Sequence, residues 1–175
     1  MAATAPRLSN GTPFPTTFYL THPVITSAVS RLEAAGVMNT MNDRLAGDQE
    51  LAASYRDAHE AYLAARDAIG QRSGIGAVPE IDGISAGGMP TRVKCLHVLV
   101  GQSLAAGPGV NPLGDEALEQ ISEWWTADRC YCDGAWDTTG EAPSKDLSRH
   151  GPQGLPGIVG RPAPVRKSAS QEAAQ

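Results

Sequence analysis

Apolar residues recur at helical spacing along most of the chain before residue 125, and this spacing predicts a mainly α fold with a minor β part. Residues three and four positions apart share one face of a helix, so each run forms an amphipathic helix that can bury that face. Gly36 and Asn111 mark helix boundaries, since the first ends a periodic run and the second is a good N-cap. The predicted helices are Val24–Ala35, Val37–Ala46, Glu50–Ile69, Pro90–Ala105 and a last helix from Pro112 to about Trp125.

The first part of the chain predicts a β-hairpin over residues 2–20. Asn10-Gly11 is a strong hairpin turn signal because both residues tolerate positive φ. The second arm is β-branched and aromatic up to Leu20, but Pro13 and Pro15 cannot donate to a ladder, which favours an edge strand. We therefore expect about five helices packed on an N-terminal hairpin.

The domain organisation follows from a change in composition along the chain. We predict one globular domain over residues 1–136, with a helical body at 23–125, and a disordered tail at 137–175. The tail is rich in Pro, Gly, Ser, Gln and Ala, and cannot bury enough apolar surface to offset its ordering entropy. With 41% hydrophobic but only 5% aromatic residues, the core must be aliphatic.

Charge and cysteine content exclude several classes of function. A net charge of −5 argues against DNA or RNA binding, which needs a basic face. No apolar run approaches the ~20 residues of a membrane span, and the start of the chain lacks the features of a signal peptide. Three cysteines, an odd number, make a poor disulfide framework and fit a reducing cytoplasm. We expect a cytoplasmic protein with no nucleic-acid partner and no membrane span.

The segment Ser85–Leu104 combines the most apolar predicted helix with reactive side chains. Gly87 and Gly88 precede the predicted helix start, and Arg92 and Lys94 lie in its first turns. Free amides and the helix dipole favour an anion there. These four residues are therefore a candidate anion site for a phosphate-bearing ligand; alternatively, the two glycines form a tight turn.

A second candidate is a metal site with thiolate and imidazole ligands. Its residues are His22, Cys95, Cys130 and Cys132, of types that zinc and iron–sulfur centres use, although their spacing lacks the paired C-x2-C pattern of a zinc knuckle. His97 is a further candidate ligand, but Cys95 and His97 lie about 200° apart on a regular helix, at ~100° per residue, so both can bind one metal only if the helix is irregular there. We therefore expect His97 on the core face, bonded to a carbonyl, and Cys95 directed towards His22.

Three further interpretations concern single residues and a tryptophan pair. Cys95 is a candidate nucleophile with His97 or His22 as its base, but it lies too deep in the predicted helix to receive a first-turn amide. His59 is expected at the surface or its boundary. Trp124-Trp125 should place one ring in the core and one outside, which favours a protein partner at that end.

Several short segments together resemble a known family. They include Asn10-Gly11-Thr12-Pro13-Phe14-Pro15-Thr16, Ser30-Arg31-Leu32-Glu33, Ser85-Ala86-Gly87-Gly88-Met89-Pro90, Arg92-Val93-Lys94-Cys95-Leu96-His97 and Gly107-Pro108-Gly109-Val110-Asn111-Pro112. Over about residues 5–125 the chain resembles the actinobacterial domain-of-unknown-function family 501, which has no established activity. Genes of that family lie near those of a septum-formation coiled-coil protein and an exopolyphosphatase, which implies a link to cell division or envelope growth.

The chain departs from the family pattern at two points. Family members usually carry a cysteine where this chain has His22, and an upstream Cys-x-Cys-Gly stretch that this sequence lacks, so Met1 is expected to be an internal start or the start of a short form. The resemblance implies a metal site at His22 and Cys95, completed here by Cys130 and Cys132.

Taken together, these patterns predict an uncharacterised cytoplasmic, non-enzymatic protein that binds a structural zinc or an iron–sulfur cluster. One alternative is an enzyme or sensor for a phosphate-bearing ligand at Gly87–Lys94. Another is a protein-interaction module that uses Trp124-Trp125. The sequence alone names no reaction, substrate or oligomeric state.

Overall fold

The structure, a computed structural model, describes residues 1–129 and confirms a mainly helical fold with five helices and an N-terminal hairpin. The elements are β1 (Ala2–Ala3), β2 (Phe18–Tyr19), α1 (Pro23–Ala34), α2 (Val37–Gly47), α3 (Gln49–Arg72), a 3-10 turn at Pro79–Ile81, α4 (Leu96–Ala106) and α5 (Pro112–Gln120). Cys130, Cys132 and the predicted tail lie outside the described residues, so the domain boundary at 136 stays a prediction. Within residues 1–129, none of the helices has both the length and the apolar content to cross a membrane.

The hairpin forms around the turn that the sequence predicts. Gly11 has φ +86°, and its N–H donates to the Leu8 carbonyl at 2.9 Å. The strands themselves are short: Ala2 and Ala3 pair antiparallel with Tyr19 and Phe18. Prolines remove ladder donors between them. The Tyr62 hydroxyl on α3 accepts from the Thr17 N–H at 2.6 Å, which fixes the hairpin to the helical body.

Side-chain caps start three of the helices where the sequence predicts them. Asp48 accepts from the Leu51 N–H at 3.0 Å at the start of α3, and Asn111 accepts from the Gly114 N–H at 3.0 Å at the start of α5. His22 caps α1 through Nδ1. Each cap satisfies an amide that has no partner within its helix. The end of α5 differs from expectation, because hydrogen-bonded turns replace the helix after Gln120.

Helix α4 lies at the centre of the core and packs against α1, α5 and β2. Leu96, Leu99 and Val100 are fully buried, and each such side chain stabilises the fold by about 1.5–3 kcal/mol. Gly114 of α5 allows the closest approach, since a Cβ there would overlap the Leu99 carbonyl oxygen. The α4 residues next to the site described below are therefore held in a close-packed core.

The predicted start of α4 at Pro90 is wrong, because the helix begins at Leu96. Gly87 and Gly88 have φ of +74° and +95°, outside the helical region, and their carbonyls accept from the Lys94 and Arg92 amides at 2.7 and 3.1 Å. The backbone amides of Arg92 and Lys94 therefore form the hydrogen bonds of a tight turn and not those of a helix.

Three buried polar side chains of α3 hold this irregular segment. The Tyr55 hydroxyl donates to the Arg92 carbonyl at 3.2 Å, His59 Nδ1 lies 2.8 Å from Ser85 Oγ, and Arg66 donates to the Ile84 carbonyl. His59 is only 6% exposed, which corrects the expectation of a surface or boundary histidine. Segment and helix therefore form one unit, and the path of the segment depends on α3.

Candidate metal centre

Three potential metal ligands meet where the end of α1 approaches the start of α4. Glu33, Cys95 and His97 each offer one ligand atom, and these atoms lie within 4.8 Å of one another. His97 Nδ1 is 3.1 Å from Glu33 Oε1 and 3.9 Å from Cys95 Sγ. The cluster therefore brings sulfur, nitrogen and carboxylate oxygen together, and all three residues are half-buried.

Cys95 and His97 meet because Cys95 precedes the helix instead of belonging to it. Cys95 is the N-cap of α4 and has extended backbone angles, φ −154° and ψ 112°. The separation of about 200° that a regular helix imposes does not apply to an extended residue. The expectation that the two side chains point to different faces of α4 was wrong, and its cause is the misplaced helix start.

Glu33 joins the two helix ends. It lies in the last turn of α1, where the helix dipole disfavours a carboxylate. Its Oε1 instead accepts from the Leu96 N–H at 2.7 Å, in the first turn of α4, where the dipole favours a negative charge. The same oxygen contacts His97, so the carboxylate holds both the backbone and the imidazole of α4 against α1.

The other side of the His97 ring fixes its tautomer. Nε2 lies 3.1 Å from the Thr26 carbonyl oxygen and 3.2 Å from Ser30 Oγ. The Ser30 hydroxyl donates to that same carbonyl at 2.9 Å. A carbonyl only accepts, so Nε2 carries a proton, which leaves Nδ1 to face the thiol and the carboxylate. The predicted carbonyl contact is confirmed, although the side chain is 25% exposed and not enclosed in the core.

The cluster favours a positive charge at Nδ1. Hydrogen bonding to Cys95, followed by the hydrogen bond and charge of Glu33, raises the pKa of His97 to about 9, against burial, which lowers it. Without a metal the imidazole is therefore protonated at neutral pH, with the Nδ1 proton lying towards sulfur and oxygen. A divalent cation bound by the same atoms would displace this proton.

Of the four predicted metal ligands, two lie within the described residues, and these two have different surroundings. Cys95 belongs to the cluster, whereas His22 caps α1, its Nδ1 accepting from the Val24 N–H at 3.2 Å, and is not a member of the group. Cys130 and Cys132 lie outside the described residues. Their part in a metal site therefore stays a prediction.

The candidate anion site also differs from its expected geometry. The amides of Arg92 and Lys94 bond to glycine carbonyls, and the first amide of α4 is taken by the Glu33 carboxylate. A Cβ on Gly88 would lie 2.5 Å from the Arg92 carbonyl oxygen, so a glycine is needed there on packing grounds alone. Anion binding by Gly87, Gly88, Arg92 and Lys94 stays a prediction, and the tight-turn alternative explains the glycine pair.

Glu33 was missed as a candidate ligand from the sequence, and His97 was a candidate only on the condition that the helix is irregular there. His97 was assigned to the core because the helix start was misplaced. Glu33 did carry a signal, since an acidic residue in the last turn of a helix opposes the dipole unless something else holds it.

The nucleophile interpretation of Cys95 meets a specific obstacle in the cluster. A general base must offer the thiol a free nitrogen, but Glu33 lies closer to His97 Nδ1 than the Cys95 sulfur does, at 3.1 against 3.9 Å. Thiol and carboxylate thus both face one nitrogen of His97.

The tryptophan pair matches the prediction of one core ring and one outer ring only in part. Trp124 is buried at 6% exposure, with the Arg31 guanidinium 5.6 Å from its ring centroid, and Trp125 is partly buried against the core. A protein partner at this end stays a prediction.

The chain matches a known protein family. The family described as "Protein of unknown function (DUF501)" matches residues 1–119, which include all three residues of the cluster. Neither the curated proteins nor the solved structures include a match to this chain.

Proposed function

The chain belongs to the DUF501 family of proteins of unknown function, and we propose that it binds a zinc ion between α1 and α4 through Glu33, Cys95 and His97. The observation that carries this proposal is the convergence of three different donor atoms within 4.8 Å, two of them facing the same nitrogen of His97.

The donor set favours zinc over an iron–sulfur cluster. Zinc takes sulfur at about 2.3 Å and nitrogen or oxygen at about 2.0–2.2 Å in tetrahedral sites. Iron–sulfur clusters are held mainly by cysteine thiolates, and residues 1–129 contain one cysteine. The Thr26 carbonyl that accepts from His97 Nε2 is the outer partner that zinc-bound histidines usually have.

The position of the cluster favours a structural metal and a non-enzymatic protein. The ion would tie the end of α1 to the start of α4, two elements of the core. Cavities of 250–340 Å³ on the described surface are lined by other residues, such as Arg66 and Gln71, Ala61 and Ala65, or Leu104 and Leu118. A fourth ligand would be water or one of the predicted thiolates.

The link to cell division or envelope growth stays a prediction from the family resemblance.

Ligand substitutions in the full chain test this proposal. We expect Cys95→Ser, His97→Gln and Glu33→Gln each to weaken zinc binding, measured by competition with a chromophoric chelator, by more than the ~10–100-fold that outer partners contribute. His22→Gln should leave the affinity unchanged, and it also tests the ligand that the sequence predicted. Zinc binding that survives Cys95→Ser and His97→Gln together, or that His22→Gln abolishes, would place the metal elsewhere.

A further inference from the structure

We infer that Asn42 of α2 is a positioning residue for this metal site, because its side chain holds the segment of backbone that carries the Cys95 thiolate. The inference rests on the proposed zinc site. It assigns to α2 a part in metal binding, although α2 supplies none of the three ligands.

The Asn42 side chain pairs with both polar backbone groups of one residue. Its Oδ1 accepts from the Val93 N–H at 2.8 Å, and its Nδ2 donates to the Val93 carbonyl at 3.0 Å. A neighbouring β-strand would make the same two bonds in an antiparallel pair. Nδ2 also donates to the Met38 carbonyl at 2.8 Å, which fixes the amide to its own helix.

This pair of Asn42–Val93 hydrogen bonds lies two residues before the thiolate, in a segment that belongs to no helix or strand. Residues 93–95 precede α4, and Cys95 is extended. Val93 is 4% exposed and so is anchored in the core, and the bend at Lys94 alone separates it from Cys95, so a shift of the Val93 backbone would move the thiol.

The other restraints on this segment act at different points. Lys94 donates to the Gly87 carbonyl at 2.7 Å, and Leu96 donates to Glu33 at 2.7 Å. The second of these bonds involves a proposed ligand, whose carboxylate must also reach the metal. Asn42 is neutral and is not itself a proposed ligand, so its effect on zinc affinity reports position alone.

A merely structural role for Asn42 would lower stability without changing the metal. The readouts that separate the two roles are zinc affinity and the sulfur-to-metal charge-transfer band of the cobalt(II)-substituted protein. We expect Asn42→Ala to weaken zinc binding by ~10–100-fold, as removal of outer partners does, and to weaken the band. Asn39→Ala is the matched control, since Asn39 is exposed on the same helix, and should change the affinity by no more than about twofold.

Asn42→Leu isolates the geometry. The leucine side chain has nearly the same size and adds no charge, but it cannot bond to the Val93 N–H or to the Val93 carbonyl. We expect the same loss of affinity and of the cobalt band. Amide hydrogen exchange at Val93 in the wild-type chain is a readout that needs no variant. Zinc should slow this exchange, because coupling between the metal site and the Asn42–Val93 hydrogen bonds acts in both directions.

The possible results separate the positioning role of Asn42 from the zinc site itself. Wild-type zinc affinity in both Asn42 variants, or unchanged Val93 exchange on zinc binding, overturns the positioning role and leaves the zinc site standing. A wild-type chain that binds no zinc overturns the proposed function, and this inference with it.

Discussion

One nitrogen atom decides the chemistry of the cluster. Nε2 of His97 is committed to the Thr26 carbonyl, so whatever binds Nδ1, a proton or a metal, must satisfy both the Cys95 sulfur and the Glu33 carboxylate. A protonated Nδ1 forms a salt bridge with Glu33, and a deprotonated one leaves a lone pair facing an anion. Proton and metal therefore compete for the same place.

This competition predicts a pH dependence for the metal-free protein. The pKa of His97 in the folded state, about 9, lies above its ordinary value of 6.5, so the stabilisation is complete below about pH 6.5 and is lost as pH rises through 9. The free energy of unfolding, from urea titrations in the presence of a chelator, should fall across this window. His97→Gln should lack this component, and an identical pH profile in both proteins would contradict the assignment.

The residues of the cluster illustrate what sequence patterns omit. Cys95 was a candidate from its residue type and from the family resemblance, whereas Glu33 gained its role from a bond to Leu96 that joins positions far apart in sequence. His22 has the right chemistry, but its Nδ1 serves as a helix cap. Residue type predicts which atoms can bind a metal; which of them meet depends on tertiary structure.

Helix ends explain where the fold could be predicted and where it could not. Asp48 and Asn111 are local caps, and the helices that follow them start as the sequence indicates. The start of α4 is set instead by distant partners, since Tyr55 and Asn42 hold the preceding backbone. Local capping chemistry is visible in a sequence, whereas a helix whose start is fixed by other elements is not.

The contact between α4 and α5 gives a prediction at this scale. Gly114→Ala should destabilise the fold by about 1–3 kcal/mol, because the added methyl overlaps the Leu99 carbonyl oxygen and Ser103 Oγ. Gly47→Ala at the end of α2 is the matched control, with nothing within 4 Å of the added Cβ, and should stabilise by about 0.4–1 kcal/mol. Denaturant titration measures both. Equal effects of the two substitutions would refute the close packing of α4 on α5.

For the molecule as a whole, the proposed zinc ion would join the first and fourth helices of a helical body. The mainly α class, the five helices and the hairpin follow from periodicity and turn chemistry, which are local properties. The cluster depends on the packing of α1 against α4. A ligand that binds only the folded state at one hundred times its Kd stabilises that state by ~2.7 kcal/mol, so zinc should raise Tm and a chelator should reverse the rise.

X-ray absorption of the zinc-loaded full chain with Cys130→Ser and Cys132→Ser tests the central claim most directly, because Cys95 is then the one thiol in the sequence. We predict one zinc per chain, with a single sulfur at about 2.3 Å and nitrogen or oxygen ligands at about 2.0–2.2 Å. A folded wild-type chain that retains no zinc, or a zinc shell without sulfur in this double variant, would contradict a site built from Glu33, Cys95 and His97.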